Sequence, residues 1–210
     1  MSEGYLTAAK YGEAEYIDKH SRFIGRVIPI ANEAEAKAFI EKIRREFADA
    51  THNVWAYTLR EGNILRWSDD GEPGGTSGQP TLNVFRGANV ENVCCVTTRY
   101  FGGILLGSGG LVRAYTAAAR MALQEAGIAR MSPWLRGALS CSYAQYDRLC
   151  RLLKDRGANV EESSFGAEVE IIFSVPEGLG EMLERSVRDA TASTVEIRFG
   201  GTVLRPGEEI

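Results

Sequence analysis

Positive charge is in short supply in this sequence. Its 210 residues hold 24 Lys and Arg against 28 Asp and Glu, a formal net charge of −4. That balance excludes a broadly basic nucleic-acid-coating surface, so any phosphate contact has to come from a local patch. Histidine is scarcer still, limited to His20 and His52. The four cysteines, Cys94, Cys95, Cys141 and Cys150, form no Cys-x-x-Cys pair. A zinc site of the usual ligand spacing is therefore not expected, and the thiols read as reduced and buried. No cofactor and no resident metal is expected. No run is long and apolar enough to span a bilayer, and the N-terminus lacks the apolar core of a signal peptide, so the expected location is the cytoplasm.

What remains is an ordinary globular composition, 44% hydrophobic and 25% charged. The charge is unevenly placed. Residues 1–130 carry 15 basic and 15 acidic side chains, and residues 131–210 carry 9 and 13. The acidic excess therefore lies wholly in the C-terminal part, while the segment 85–130 holds five Arg against two Glu.

The most unusual stretch sits inside that segment. Val93 to Thr97 is an apolar, β-branched run suited to a buried strand. Gly102, Gly103, Gly107, Gly109 and Gly110 then crowd into nine positions around Ser108. An alanine-rich helical pattern follows to Ala126, with Gly127 placed as its C′ residue. A glycine-rich loop opening onto a helix N-terminus presents bare N–H groups and favours anions. The loop lacks the Lys-Ser or Lys-Thr of a P-loop, and Val112 stands where a dinucleotide fingerprint needs its third glycine. The plainer reading is a tight turn that lets a helix pack closely on a sheet. The flanking Arg99 and Arg113 favour an anion or nucleic-acid site, with Arg22 as a third candidate contact. On the helix, Arg113, Thr116, Arg120 and Gln124 are expected on one face and Val112, Tyr115, Ala119 and Ala122 on the other.

The rest of the chain alternates strands and helices. Strands are expected over 14–17 and 22–30, joined by a turn at Lys19, His20 and Ser21. Asn32 with Glu35 then forms a capping box for a helix ending near Ala48. A strand over 54–60 pairs with 63–67 through Glu61-Gly62. The stretch from Trp67 to Pro80 (WSDDGEPGGTSGQP) is too polar and too rich in Gly and Pro for either element, and a short helix is expected over 81–85. Long structured loops are disproportionately functional. Asp69, Asp70 and Glu72, with His52 upstream, could hold a divalent ion, although Asp-Asp-Gly is also ordinary turn chemistry and His52 also fits a hydrogen-bonded structural role. Residues 131–136, with Pro133 and Trp134, read as a linker. Beyond it come strand 137–143, helix 144–156, strands 158–163 and 167–175, helix 177–190 and strand 194–199. That βαββαβ order is a ferredoxin-like signature.

The two long motifs, Trp67 to Pro80 and Arg99 to Tyr115, together with KHSRFI at 19–24 and ATHN at 50–53, strongly resemble the IMPACT family, in its bacterial YigZ-like branch. The resemblance covers the whole chain. It implies an α+β protein with an IMPACT-type N-terminal domain over 1–130, similar to the second domain of ribosomal protein S5. A ferredoxin-like C-terminal domain over 131–210, similar to the last domain of elongation factor G, follows. Eukaryotic relatives regulate translation by competing for an activator of an initiation-factor kinase, largely through a separate domain that this chain lacks.

Three functions are compatible with these residues. One is a translation-linked regulator that binds RNA or the ribosome through Arg22, Arg99, Arg113 and the glycine loop. Another is a protein-interaction module, with a basic partner docking on the acidic C-terminal residues Glu161, Glu162, Glu177, Glu181 and Glu184. The third is a metal-dependent phosphohydrolase or phosphotransferase built on the Asp69/Asp70 loop. In each of the phosphate readings, loops 67–80 and 99–113 have to lie side by side.

Overall fold

The structure is a computed structural model. It describes residues 4–209, with side chains through residue 206. The fold is mixed α+β, and the chain divides into two compact units, one of residues 5–130 with 206–209 and one of residues 131–205 with Gly4.

The first unit begins with β1 (Tyr5–Ala8) and then builds a five-stranded sheet. Its strands are β2 (Gly12–Asp18), β3 (Ser21–Pro29), β4 (His52–Leu59), β5 (Ile64–Ser68) and β6 (Val93–Tyr100), in the order β2-β3-β6-β4-β5. All four pairings are antiparallel. The β2–β3 hairpin closes on Lys19 and His20, both at positive φ, as a two-residue turn with matched twist requires.

Three helices cover the sheet: α1 (Glu33–Glu46), α2 (Gly78–Gly87) and α3 (Gly107–Ala126). The central strand β6 is buried on both faces, so its side chains alternate between two cores. Cys95 and Val93 pack with Phe85, Leu82, Ala119 and Leu123 from α2 and α3. Cys94 and Val96 pack with Ile40 and Ile43 from α1. Five of the six alanines of α3, Ala114, Ala118, Ala119, Ala122 and Ala126, are fully buried and let the helix lie close to the strands.

Local signals place the helix ends. At the start of α1 the Asn32 Oδ1 accepts from the Glu35 N–H at 3.0 Å, and the Glu35 carboxylate accepts from the Ala31 N–H at 2.8 Å. Helix α2 starts three residues earlier than the sequence suggests. Pro80 falls in its first turn, where backbone N–H groups have no intrahelical partner and proline costs nothing. Helix α3 likewise begins at Gly107, inside the glycine loop, and Gly127 ends it at φ 66°. Val112 is exposed, and the buried position in that turn belongs to Leu111.

The second unit runs β7 (Ile128–Cys141), α4 (Tyr143–Asp155), β8 (Asn159–Phe165), β9 (Val169–Pro176), α5 (Gly180–Ala190) and β10 (Arg198–Glu209). Strands β7, β9 and β8 are antiparallel neighbours in that order, and β10 also pairs with β7. The core joins Leu139, Ile171 and Phe173 of the strands to Leu149, Leu153, Leu183 and Val187 of the helices. Two expectations are corrected. Residues 131–136 are strand rather than linker; Pro133 is tolerated because the stretch paired with β9 begins only at Trp134. The last strand starts at Arg198, not at Thr194, and continues to Glu209.

All four cysteines are free thiols, and Cys94, Cys95 and Cys141 are buried. Burial pushes the Cys94 thiol well above its ordinary value and Cys95 up to about 12. Thiol labelling of the native protein is therefore expected to modify Cys150 first, with Cys94 and Cys95 reacting only on unfolding. The Cys95 thiol has its raised value in the folded state only. The stability it contributes is full below pH about 8.5, the unfolded thiol value, and is lost as pH rises towards 12, at roughly 1.4 kcal/mol per pH unit. Replacing Cys95 by Ser and measuring the alkaline unfolding limb isolates that contribution.

Candidate functional site

The antiparallel register of β3, β6 and β4 aligns three side chains across the sheet. Arg99 pairs with Phe23 on one side and with His52 on the other. Directly paired residues project to the same face, so Phe23, Arg99 and His52 form a row at one end of the α3 face. Arg99 is only 5% exposed and its guanidinium lies 5.3 Å from the Phe23 ring and 5.5 Å from the Phe101 ring.

Glu72 reaches this row from the loop between β5 and α2. Its Oε1 accepts from Arg99 Nη1 at 2.6 Å and from the Tyr115 hydroxyl at 2.7 Å. Burial and the neighbouring Glu72 charge push the Tyr115 phenol far above its usual range, so Tyr115 remains a donor. The His52 Nδ1 lies 2.7 Å from the Asp70 carbonyl oxygen. A carbonyl only accepts, so Nδ1 carries the proton, and Nε2 is left 3.9 Å from Glu72 Oε2. In the neutral ring Nε2 is an acceptor; on protonation it becomes a donor.

Around this cluster the two loops enclose a pocket of about 370 Å³. His52, Glu72 and Arg99 lie on one side, Phe101, Leu105 and Leu106 on another, and Gly107 and Ser108 open α3 at its edge. Among the described residues no side chain caps that helix, and its first turn holds no acidic residue, so the N–H groups at Gly107 and Ser108 stand at the pocket's edge with no carboxylate bonded to them. The Arg99 Nε is buried and has no hydrogen-bond partner among the described residues. Such an orphan is costly in a folded protein and asks for an acceptor. A larger groove of about 560 Å³, lined by Asn83, Arg120 and Gln124 between α2 and α3, contains no buried unpartnered group among the described residues.

The other residues marked by the sequence fall around this pocket rather than in it. Gly102 and Gly103 are in its loop, and Gly109 and Gly110 in the first turn of α3. Arg113 is exposed on α3, with Nη1 3.7 Å from the place a Cβ on Gly109 would take. Arg22 lies on the opposite face of the sheet, paired with Tyr100 in the register, 6.0 Å from its ring and salt-bridged to Glu15 at 2.5 Å. The three arginines therefore do not converge on one site.

The two aspartates do not form a pair either. Asp69 Oδ1 accepts from the N–H groups of Ser77 and Gly78 and from the Ser77 hydroxyl, and its Oδ2 accepts from the Gly75 N–H. It thus caps the loop and the start of α2. Asp70 accepts from the Asn53 N–H at 2.7 Å and from Arg44 at 2.6 Å. Among the described residues no three His, Cys, Asp or Glu side chains stand together as a metal site. Burial alone would raise the Asp69 carboxyl, but the donors around it outweigh that and hold it below the ordinary Asp value. Asp69→Ala is expected to cost about 1–2 kcal/mol at neutral pH, as for a lost helix cap. Because the folded value is the lower one, this contribution is present above pH about 4 and fades as pH falls through the folded value. Urea titrations of both proteins at pH 7 and pH 3 check the expected convergence.

Tyr115, Phe101 and Asn53 belong to the site or its support, although their sequence signal is that of core or motif residues. Asn53 links Asp70 to the α1 face, where its side chain meets the Thr98 hydroxyl and, through it, the buried Arg26.

The profile of the Impact N-terminal domain matches residues 19–123, and that of a Domain of unknown function (DUF1949) matches 139–194. The chain is 36% identical to the IMPACT family member YigZ of Escherichia coli, over 84% of this chain and 87% of that protein. It is 33% identical to the IMPACT family member YvyE of Bacillus subtilis, over 95% and 93%. Its similarity to Protein IMPACT of Mus musculus, at 33% identity, covers 43% of this chain and 30% of that one. A solved structure described as "Crystal structure of an hypothetical protein" superposes with a TM-score of 0.62 at 32% identity, covering 94% of this chain and 97% of that one. The chain belongs to the IMPACT family.

Proposed function

We propose that this IMPACT-family chain is a translation-linked regulator that binds RNA, on or off the ribosome, and holds a phosphate in the pocket between its two loops. One observation carries the reading: Arg99, whose buried Nε has no partner among the described residues, lines the same pocket as Gly107 and Ser108 at the uncapped N-terminus of α3. Both are N–H donors waiting for an acceptor, and a phosphate oxygen meets either. Arg113, one turn along α3, adds positive charge nearby; Arg22 would serve only a separate contact on the other face. The domain readings support the same direction. We take residues 1–130 as a domain similar to the second domain of ribosomal protein S5. The strand order with β7 between β9 and β10 fits a ferredoxin-like domain over 131–210, similar to the last domain of elongation factor G.

Co-sedimentation with ribosomes and a single-stranded RNA, from low to high salt, tests the proposal. Affinity is expected to fall with salt, by about 0.7 in log–log slope for each phosphate neutralised. Ser108→Asp places a negative charge in the first turn of α3. It is expected to stabilise that helix by about 0.3–1 kcal/mol while abolishing phosphate binding. RNA binding that ignores both salt and Ser108→Asp overturns the proposal.

A second reading, docking of a protein, has its own observation. Ile104 and Leu105 stand exposed at the rim of the pocket, Leu105 at 82%. The acidic C-terminal surface offers less, since Glu161 is already paired with Arg136 and Arg205, and Glu184 with Arg188. The metal-dependent enzyme reading loses its carboxylate pair to the capping and ion-pair roles of Asp69 and Asp70.

A further inference from the structure

On the reading that this pocket holds RNA phosphate, we infer that it takes the end of a strand: one nucleotide carrying a terminal phosphate monoester, its base against Phe101. The first argument is access. Arg99 is 5% exposed and lines the pocket, so an acceptor reaches its guanidinium only by entering it. A phosphate in the backbone of a duplex sits on a convex surface between its neighbours and cannot descend that far. A terminal phosphate can.

The donors match a monoester better than a diester. A phosphate monoester offers three strong acceptor oxygens and a charge of about −1.5 to −2. The pocket offers two kinds of donor: the first N–H groups of α3 at Gly107 and Ser108, and the guanidinium of Arg99. Glu72 also lines the pocket, with its charge paired to Arg99. Its Oε1 is covered by Arg99 and Tyr115, and its Oε2 faces His52 at 3.9 Å.

The walls suit a base. Phe101 is 45% exposed, and Arg99 stands 5.5 Å from its ring. Leu105 and Leu106 continue the apolar side. A volume of about 370 Å³ lies at the small end of ligand sites, enough for one nucleotide and too little for a run of them.

The test measures binding of the full chain to a short single-stranded RNA by fluorescence anisotropy, in forms ending in a monophosphate or in a hydroxyl, with adenosine monophosphate and inorganic phosphate as competitors. The phosphorylated form is expected to bind at least about tenfold more tightly, the energy of a charge-assisted contact set. Phe101→Ala is expected to weaken it by about tenfold through lost stacking, with its melting temperature unchanged because the ring is half exposed. Adenosine monophosphate is expected to compete, and inorganic phosphate to compete far less well. Equal, salt-dependent binding of both RNA forms overturns the terminal-nucleotide inference and leaves the RNA reading standing. Binding of adenosine monophosphate without RNA binding does the reverse, marking a free-nucleotide site. Inorganic phosphate competing as well as the nucleotide overturns the base contact. No binding of any probe overturns both readings.

Discussion

Arg99→Met is expected to lower the unfolding free energy by about 3–5 kcal/mol, the usual cost of removing one partner from a buried ion pair. The size follows from what remains. Glu72 is 7% exposed, and without Arg99 its carboxylate keeps only the Tyr115 hydroxyl and a histidine 3.9 Å away. The penalty comes from the stranded charge, so removing that charge as well should recover much of the loss. Arg99→Met/Glu72→Gln leaves an acceptor for Tyr115 and no buried charge. It is expected to regain at least half of the deficit, and urea titrations of the two single variants and the double variant give the coupling directly. Ligand binding should not recover in the double variant, because the orphan Nε has gone with the arginine. A loss below about 1 kcal/mol in Arg99→Met would mean that the pair is solvated rather than buried.

The comparison of Arg99 with Arg22 shows why part of the site was legible from the sequence and part was not. Both residues flank the glycine loop or its neighbouring strand, and both read as phosphate contacts. Which face each one uses depends on strand register, and register is a matter of pairing between segments some eighty residues apart. Arg99 falls on the face of Val93 and Cys95, beneath α3, while Arg22 shares the other face with Tyr100. The same limit applies to Asp69 and Asp70. Their adjacency suggested one metal site, but Asp70 sits at φ 46°, and its backbone turn sends the two carboxylates to different partners. What local chemistry does decide was readable: the Asn32 cap, the Lys19–His20 turn and the opposed faces of Cys94 and Cys95. The two long motifs also marked the loops that meet, because stretches so polar and so rich in glycine have few other uses in a buried sheet's rim. Glu72 was legible as a residue and not as a role. Its burial depends on Tyr115, forty-three positions away, reaching it from α3.

Gly102→Ala is expected to be the most damaging of the loop-glycine substitutions, at about 3 kcal/mol, the upper part of the range for overpacking. A Cβ at residue 102 would fall 2.1 Å from the carbonyl carbon of His20 and 2.4 Å from the Ser21 nitrogen, both backbone atoms that cannot rotate away. The loop is held there from the other side as well, since the Gly102 N–H donates to the Ser21 hydroxyl at 3.1 Å. His20 is itself at φ 63° in a two-residue turn, which leaves the hairpin little freedom to yield. The segment 101–106 would have to lift, carrying Phe101 and Leu105 away from Arg99 and the start of α3. Gly103 provides the control. Its φ of 83° makes alanine strained, but nothing lies within 4 Å of its Cβ position, so Gly103→Ala is expected to cost only about 1–2 kcal/mol. Equal losses in the two variants would show that backbone conformation alone dictates these glycines. A clearly larger loss at Gly102, accompanied by weaker ligand binding, would show that the turn at Lys19–His20 is the support on which the pocket's apolar wall rests.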